Sequence, residues 1–177
     1  MQCFAFLALV VVALVLVGQT DAWWLVGRNG NNNQCPSRET ATPYYFGTTD
    51  LSCMHRNIRG KRSAPSRGTL EWVHRFIYYK GYYFEFFDNS KAYISTQTQF
   101  ANVCPGGPES SPAGYSELDI DCIKGCARNY RCHFGTYSLL GNNCHHFTNE
   151  ISQVLCTSGQ SCPSWCLDDC NHAVETN

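Results

Sequence analysis

Cysteine parity constrains this chain more tightly than any other feature. The 177 residues include 12 cysteines. Cys3 falls in residues 1–22, which read as a signal peptide. The apolar run Phe4 to Val17 is short for a membrane span, and Thr20-Asp21-Ala22 supplies small residues around a cleavage point. Its removal leaves 155 residues, enough for one domain with its own core. Eleven cysteines remain: Cys35, Cys53, Cys104, Cys122, Cys126, Cys132, Cys144, Cys156, Cys162, Cys166 and Cys170. In an oxidising compartment an odd count leaves one thiol free or paired with another chain. Five disulfides and one free thiol is what a secreted cysteine enzyme would need.

Parity does not say which cysteine is odd, and position makes Cys144 a candidate. In Tyr137 to Cys156, YSLLGNNCHHFTNEISQVLC, Gly141, Asn142 and Asn143 form a turn signal, with Asn143 a good N-cap. Cys144, Phe147, Ile151 and Val154/Leu155 then recur at helical spacing and give one apolar face. Cys144 is thereby expected in the first turn of an amphipathic helix. The positive end of the helix dipole and its unpaired N–H groups favour an anion there, and only the thiolate is a nucleophile. The alternative is that Cys144 is one more half-cystine, as most cysteines of secreted domains are.

Before this segment the chain reads in three parts. Residues 23–68 are rich in Gly, Asn, Ser and Pro and are expected to form an irregular N-terminal arm. Arg59-Gly60-Lys61-Arg62 fits a dibasic processing site, so the arm is either a pro-segment released after Arg62, with Cys35 able to pair with Cys53, or an uncut basic loop. The domain proper is expected over 69–177. Its LEWVHRFIYYKGYYFEFF predicts two strands, about 71–79 and 82–87, turning at Lys80-Gly81, and a third strand is expected at 92–97. Residues 102–115 read as loop, and Ser116 as the cap of a helix over about 117–129, in which Gly125 is a flaw. Cys162, Cys166 and Cys170 recur at i, i+4, i+8, so a short helix in the tail would project all three to one side and clamp the 117–129 helix. The spacings lack the paired C-x2-C pattern of zinc sites, so disulfides are expected rather than a metal, and no cofactor is expected. The net charge of −1 offers no footprint for nucleic acid, and no stretch beyond the leader is long and apolar enough to span a membrane.

A nucleophilic thiol needs a base within hydrogen-bond reach. Among the six histidines, His145 and His146 follow Cys144 on its own helix and do not face it. His55 lies in the arm, His133 beside Cys132 and His172 near the end. His74 remains, on the first strand of the domain and on the same face as Trp72 and Phe76, where it is either the base or an ordinary strand histidine.

The segment around Cys144 resembles the nucleophile motif of the permuted papain-like cysteine hydrolases, nearest to the PPPDE group, with a similar motif in lecithin retinol acyltransferase-like enzymes. Tyr137, Ser138, Leu139, Asn143, Cys144, Phe147, Asn149, Glu150, Ile151 and Leu155 fill that pattern. Trp72-Val73-His74 and Tyr82-Tyr83-Phe84-Glu85-Phe86 look like the family's histidine strand and the hairpin that follows it. The resemblance covers about 70–156. It departs at Arg75, where the family has a small residue, at Asp88-Asn89-Ser90-Lys91, where it is glycine-rich, and in the flanking cysteines.

The fold expected is α+β: a small antiparallel sheet packed against helices, disulfide-stapled and permuted papain-like. The function implied is a secreted, extracellular thiol hydrolase or acyltransferase. Its substrate is a peptide, protein or acyl ester, Cys144 is the nucleophile and His74 the base. Glu85 is the candidate to orient His74 if its strand pairs in register. The alternatives are a non-catalytic secreted matrix or defence protein on the same scaffold, or a hormone-type precursor cut at Arg62.

Overall fold

Aromatic and β-branched residues crowd Val73–Tyr79 and Tyr82–Phe86, and a two-residue turn joins these runs into a hairpin. Lys80 and Gly81 both have positive φ, 44° and 86°, as a type I′ turn requires. The computed structural model describes residues 35–36, 40–56, 73–157 and 161–176, with only the backbone described at 55 and 56. The leader, the processing sequence at Arg62 and Trp72 lie outside the described residues. In chain order the elements are β1 (Thr42–Asp50), α1 (Leu51–Arg56), β2 (Val73–Tyr79), β3 (Tyr82–Phe86), β4 (Ala92–Ser95), β5 (Gly106–Pro108), β6 (Gly114–Ser116), α2 (Ile120–Phe134), α3 (Cys144–Leu155), a 3₁₀ turn (Ser164–Leu167) and β7 (Ala173–Thr176). No helix among the described residues is long and apolar enough to cross a membrane.

The strands form one sheet in the order β5-β1-β2-β3-β4-β7, with β6 also on β1. Pairing is antiparallel except between β4 and β7, which run parallel. The architecture is α+β, with a sheet larger than 71–97 and mixed rather than wholly antiparallel. Three segments account for the difference. The tail supplies β7, residues 102–115, expected to be loop, supply β5 and most of β6, and residues 42–50, expected to be irregular, supply β1. The Pro and Gly of TPYYFGTTD read as loop, but the strand pairs with β2 at seven positions, from Tyr44↔Tyr79 to Asp50↔Val73. Long-range pairing overrides local preference here. Gly47 is required on β1 because the Phe76 ring of β2 lies where its Cβ would be.

One face of the sheet carries the core. Ile77, Tyr79, Phe84, Phe86 and Ile94 pack against Leu118, Ile123, Ala127 and Tyr130, and against Phe147, Ile151 and Leu155 of α3. Helix α2 begins later than Ser116 predicts. Asp119 is its cap, accepting from Asp121 N–H at 2.8 Å. The Leu118 carbonyl is held outside the helix by Tyr79 Oη at 2.7 Å and Lys80 Nζ at 2.8 Å, so the chain turns helical only after it.

Five disulfides fasten this frame: Cys35–Cys156, Cys53–Cys104, Cys122–Cys162, Cys126–Cys166 and Cys132–Cys170. Three of them clamp α2 to the tail, as the cysteine spacing predicts, although the tail there is a four-residue 3₁₀ turn rather than a longer helix. Gly125 belongs to that clamp. A Cβ on it would run into the Cys166 carbonyl, so the apparent flaw in α2 is what lets the tail come this close. Cys35 does not pair with Cys53, because each bridges to a distant element.

Gly125→Ala is expected to cost about 1–3 kcal/mol through overpacking, read as a lower Tm in thermal unfolding without reductant. Removal of residues 23–62 as a pro-segment is expected to fail for a covalent reason. A cut after Arg62 leaves β1 and its flanks bridged through Cys35–Cys156 and Cys53–Cys104. Cleaved material should run as one species in non-reducing electrophoresis and as two after reduction.

Candidate active site

The site is built around the start of α3. Asn143, with extended backbone (φ −128°, ψ −171°), caps the helix, and its side chain accepts from His145 N–H at 2.9 Å and His146 N–H at 3.3 Å. The Phe147 amide takes the Asn143 carbonyl at 3.0 Å. Cys144 N–H stands outside both the cap and the helix ladder. The turn leading in is fixed by Asn142. Its Nδ2 donates to the carbonyls of Phe134, Gly135 and Thr136, and its Oδ1 accepts from Tyr130 Oη at 2.7 Å. Asn143 Nδ2 also holds the Leu139 carbonyl at 2.7 Å.

Why the thiol meets β2 follows from where the sheet opens. β3 pairs β2 only at Ile77, Tyr78 and Tyr79. Beyond Ile77 the first residues of α3 take backbone groups of β2 instead. The Cys144 sulfur accepts from Arg75 N–H, and His145 Nε2, which must carry the proton, donates to the Val73 carbonyl at 3.2 Å. The helix start thus fills the gap where the two strands stop pairing. Burial and the nearby Arg75 charge push His145 below its ordinary pKa, as suits a ring whose one task is to donate.

Cys144 and His74 come together in this gap as hydrogen-bond partners. Cys144 is the free cysteine among the described residues. Glu85 lies behind the ring, with His74 Nε2 3.2 Å from Glu85 Oε1. The N–H is poorly aimed for a hydrogen bond, so this contact acts chiefly as a pairing of charges. The structure therefore brings together Cys144, His74 and Glu85. His74 is buried, at 2% exposure. The other histidines lie elsewhere: His133 stacks on Trp165, His146 bonds Asn143 and His172 meets Arg131.

Two groups that support the site from outside it were not apparent from the sequence. Phe87 stacks on His74 with ring centroids 4.4 Å apart and planes 14° from parallel. The backbone N–H of Gln99 donates to Glu85 Oε2 at 2.8 Å. Alternation along 85–87 was the signal for Phe87, because Glu85 and Phe87 share a face. A backbone donor leaves no trace in a sequence.

The electrostatics favour a charged pair. Burial alone would push the His74 imidazole down. The bond to Cys144, with Glu85 and the negative charge of both partners, outweighs it and holds the pKa up at about 9. Burial would push the Cys144 thiol up, but His74 and the Arg75 N–H and charge outweigh that and bring it below its usual value. Between the lowered thiol pKa and about 9 the pair is thiolate and imidazolium. Chemically this is a nucleophile and a proton donor in contact.

The rate of Cys144 alkylation by iodoacetamide is expected to rise with pH at values below the pKa of about 8.5 of an ordinary cysteine. In His74→Gln burial is no longer opposed by the imidazolium, so the rise should move above 8.5. Matching profiles would show that the ring does not set the thiol's charge.

No family model matches the chain, and neither a curated protein nor a solved structure matches it.

Proposed function

We propose that the protein is a secreted thiol hydrolase or acyltransferase that acts on an amide or ester bond through Cys144 and His74. The observation that carries this reading is the contact of a buried, unbridged thiol with a buried imidazole in a chain whose other described cysteines are all paired. The resemblance of the Tyr137–Leu155 segment and the His74 strand to the permuted papain-like hydrolases supports it. Five disulfides support an oxidising, extracellular setting.

In the proposed cycle the Cys144 thiolate attacks the carbonyl carbon and the C=O electron pair moves to oxygen. Cys144 N–H at the helix start donates to that oxyanion. His74 gives its proton to the leaving nitrogen or oxygen as the bond breaks, leaving a thioester on Cys144 and a neutral imidazole. His74 then removes a proton from water, or from an acceptor alcohol or amine, which attacks the thioester. Collapse returns the thiolate and the imidazolium. Glu85 stays beside His74 and stabilises the imidazolium at the steps where it is charged.

A second reading has one observation in its favour. Cys144 and His74 are 5% and 2% exposed, a closed arrangement that suits a non-catalytic matrix or defence protein on the same scaffold. An activated ester decides between them. p-Nitrophenyl acetate should give a burst of nitrophenol equal to the enzyme present and an acetyl group on Cys144, seen by peptide mass. Cys144→Ser should lose the adduct. With an amide or alkyl ester, whose leaving group needs the His74 proton, kcat/KM should be bell-shaped in pH, falling on the acid side as the thiolate protonates and on the alkaline side near pH 9 as His74 loses its proton. No adduct on Cys144 would leave the non-catalytic reading.

A further inference from the structure

The loop between β4 and β5 touches the site's supports at two points and the thiol at none. Its Gln99 N–H is bonded to Glu85 Oε2 at 2.8 Å. One residue on, the Phe100 ring packs on Phe87 with centroids 6.0 Å apart, and Phe87 stacks on His74 at 4.4 Å. The loop is itself tightly made. Ala101 N–H takes the Thr98 carbonyl at 3.1 Å, and Cys104 N–H takes the Phe100 carbonyl at 2.9 Å. Its end is bridged to the frame by Cys53–Cys104, whose first sulfur stands on α1 directly after β1. The Gln99 side chain is exposed and makes one long bond, Nε2 donating to Ser95 Oγ at 3.5 Å, so what reaches Glu85 is the backbone N–H.

We propose that the loop Thr98–Cys104 is the positioning element of the site: it holds Glu85 by the Gln99 amide and Phe87 by the Phe100 ring, and so fixes His74 against Cys144. Neither Gln99 nor Phe100 takes part in the chemistry. The amide directs one carboxylate oxygen away from His74 and leaves the other facing the ring, while Phe100 keeps Phe87 flat on the imidazole. The near end of the loop continues β4, which pairs the hairpin strand β3, and the disulfide ties its far end to the segment after β1. The assignment rests on the reading of Cys144 and His74 as a working pair.

The test compares variants that keep or delete one N–H. Gln99→Ala retains the amide and should alkylate at Cys144 as the wild type does. Gln99→Pro removes it. With a hydrogen bond to a charged group lost, its iodoacetamide rate at neutral pH should fall about tenfold. Its pH profile should move up toward that of His74→Gln, with far-UV circular dichroism unchanged. Phe100→Leu should shift the profile in the same direction by less. Wild-type profiles in both Gln99→Pro and Phe100→Leu would overturn the proposal. Should Gln99→Pro not fold, Phe100→Leu decides alone: a slowed Cys144 supports the assignment and an unchanged one removes it. If His74→Gln already matches wild type, the working pair itself fails, a different result from a silent loop.

Discussion

Everything at the candidate site depends on an interruption in β-sheet pairing. β3 leaves β2 after Ile77, and backbone groups of β2 beyond that point need partners. They find them in the first two residues of a helix, a sulfur for Arg75 N–H and an imidazole for the Val73 carbonyl. This substitution brings α3 end-on to the strand and carries the thiol to His74. A hairpin paired along its whole length would occupy the same groups and exclude Cys144. The helix is held there by its apolar stripe Phe147, Ile151 and Leu155, which is fully buried against the sheet.

Much of α3 was legible because its signals are local. Asn143 as cap, Cys144 in the first turn and the apolar stripe follow from side-chain chemistry and a period of 3.6. The hairpin was legible for the same reason, as Lys80-Gly81 sits between two aromatic runs. What was hidden is non-local. β1 is a strand because β2 needs a partner; in TPYYFGTTD only Tyr44, Tyr45 and Phe46 hint that the arm docks on the domain, and nothing gives its pairing. The bridges Cys35–Cys156 and Cys53–Cys104 join positions 121 and 51 residues apart, where spacing carries no information. The approach of Glu85 to His74 depended on register, and the Gln99 amide on a loop path.

Burial and charge act together at the site. A thiol at 5% exposure would ordinarily stay protonated, and an imidazole at 2% exposure would ordinarily stay neutral. Each is driven to its charged form by the other, and Glu85 adds a second negative neighbour to the ring. The charges are thus sustained by contact rather than by solvent. Geometry controls the protonation state, and small displacements of the supporting groups act directly on the thiol.

The three bridges between α2 and the tail have nearly constant offsets, 40, 40 and 38 residues. Such a ladder has an obvious wrong answer. A slip of one rung would join Cys126 to Cys162 and Cys132 to Cys166, stranding Cys122 and Cys170 as thiols able to attack other bridges or trap Cys144. What opposes the slip is not sulfur chemistry. Buried Asn129 donates to the carbonyls of Cys166 and Asp168 and accepts from Cys170 N–H at 2.9 Å, and the tail fits only where Gly125 leaves room. One amide and one missing methyl group define the alignment that oxidation makes permanent, and so protect the one cysteine left unbridged among the described residues.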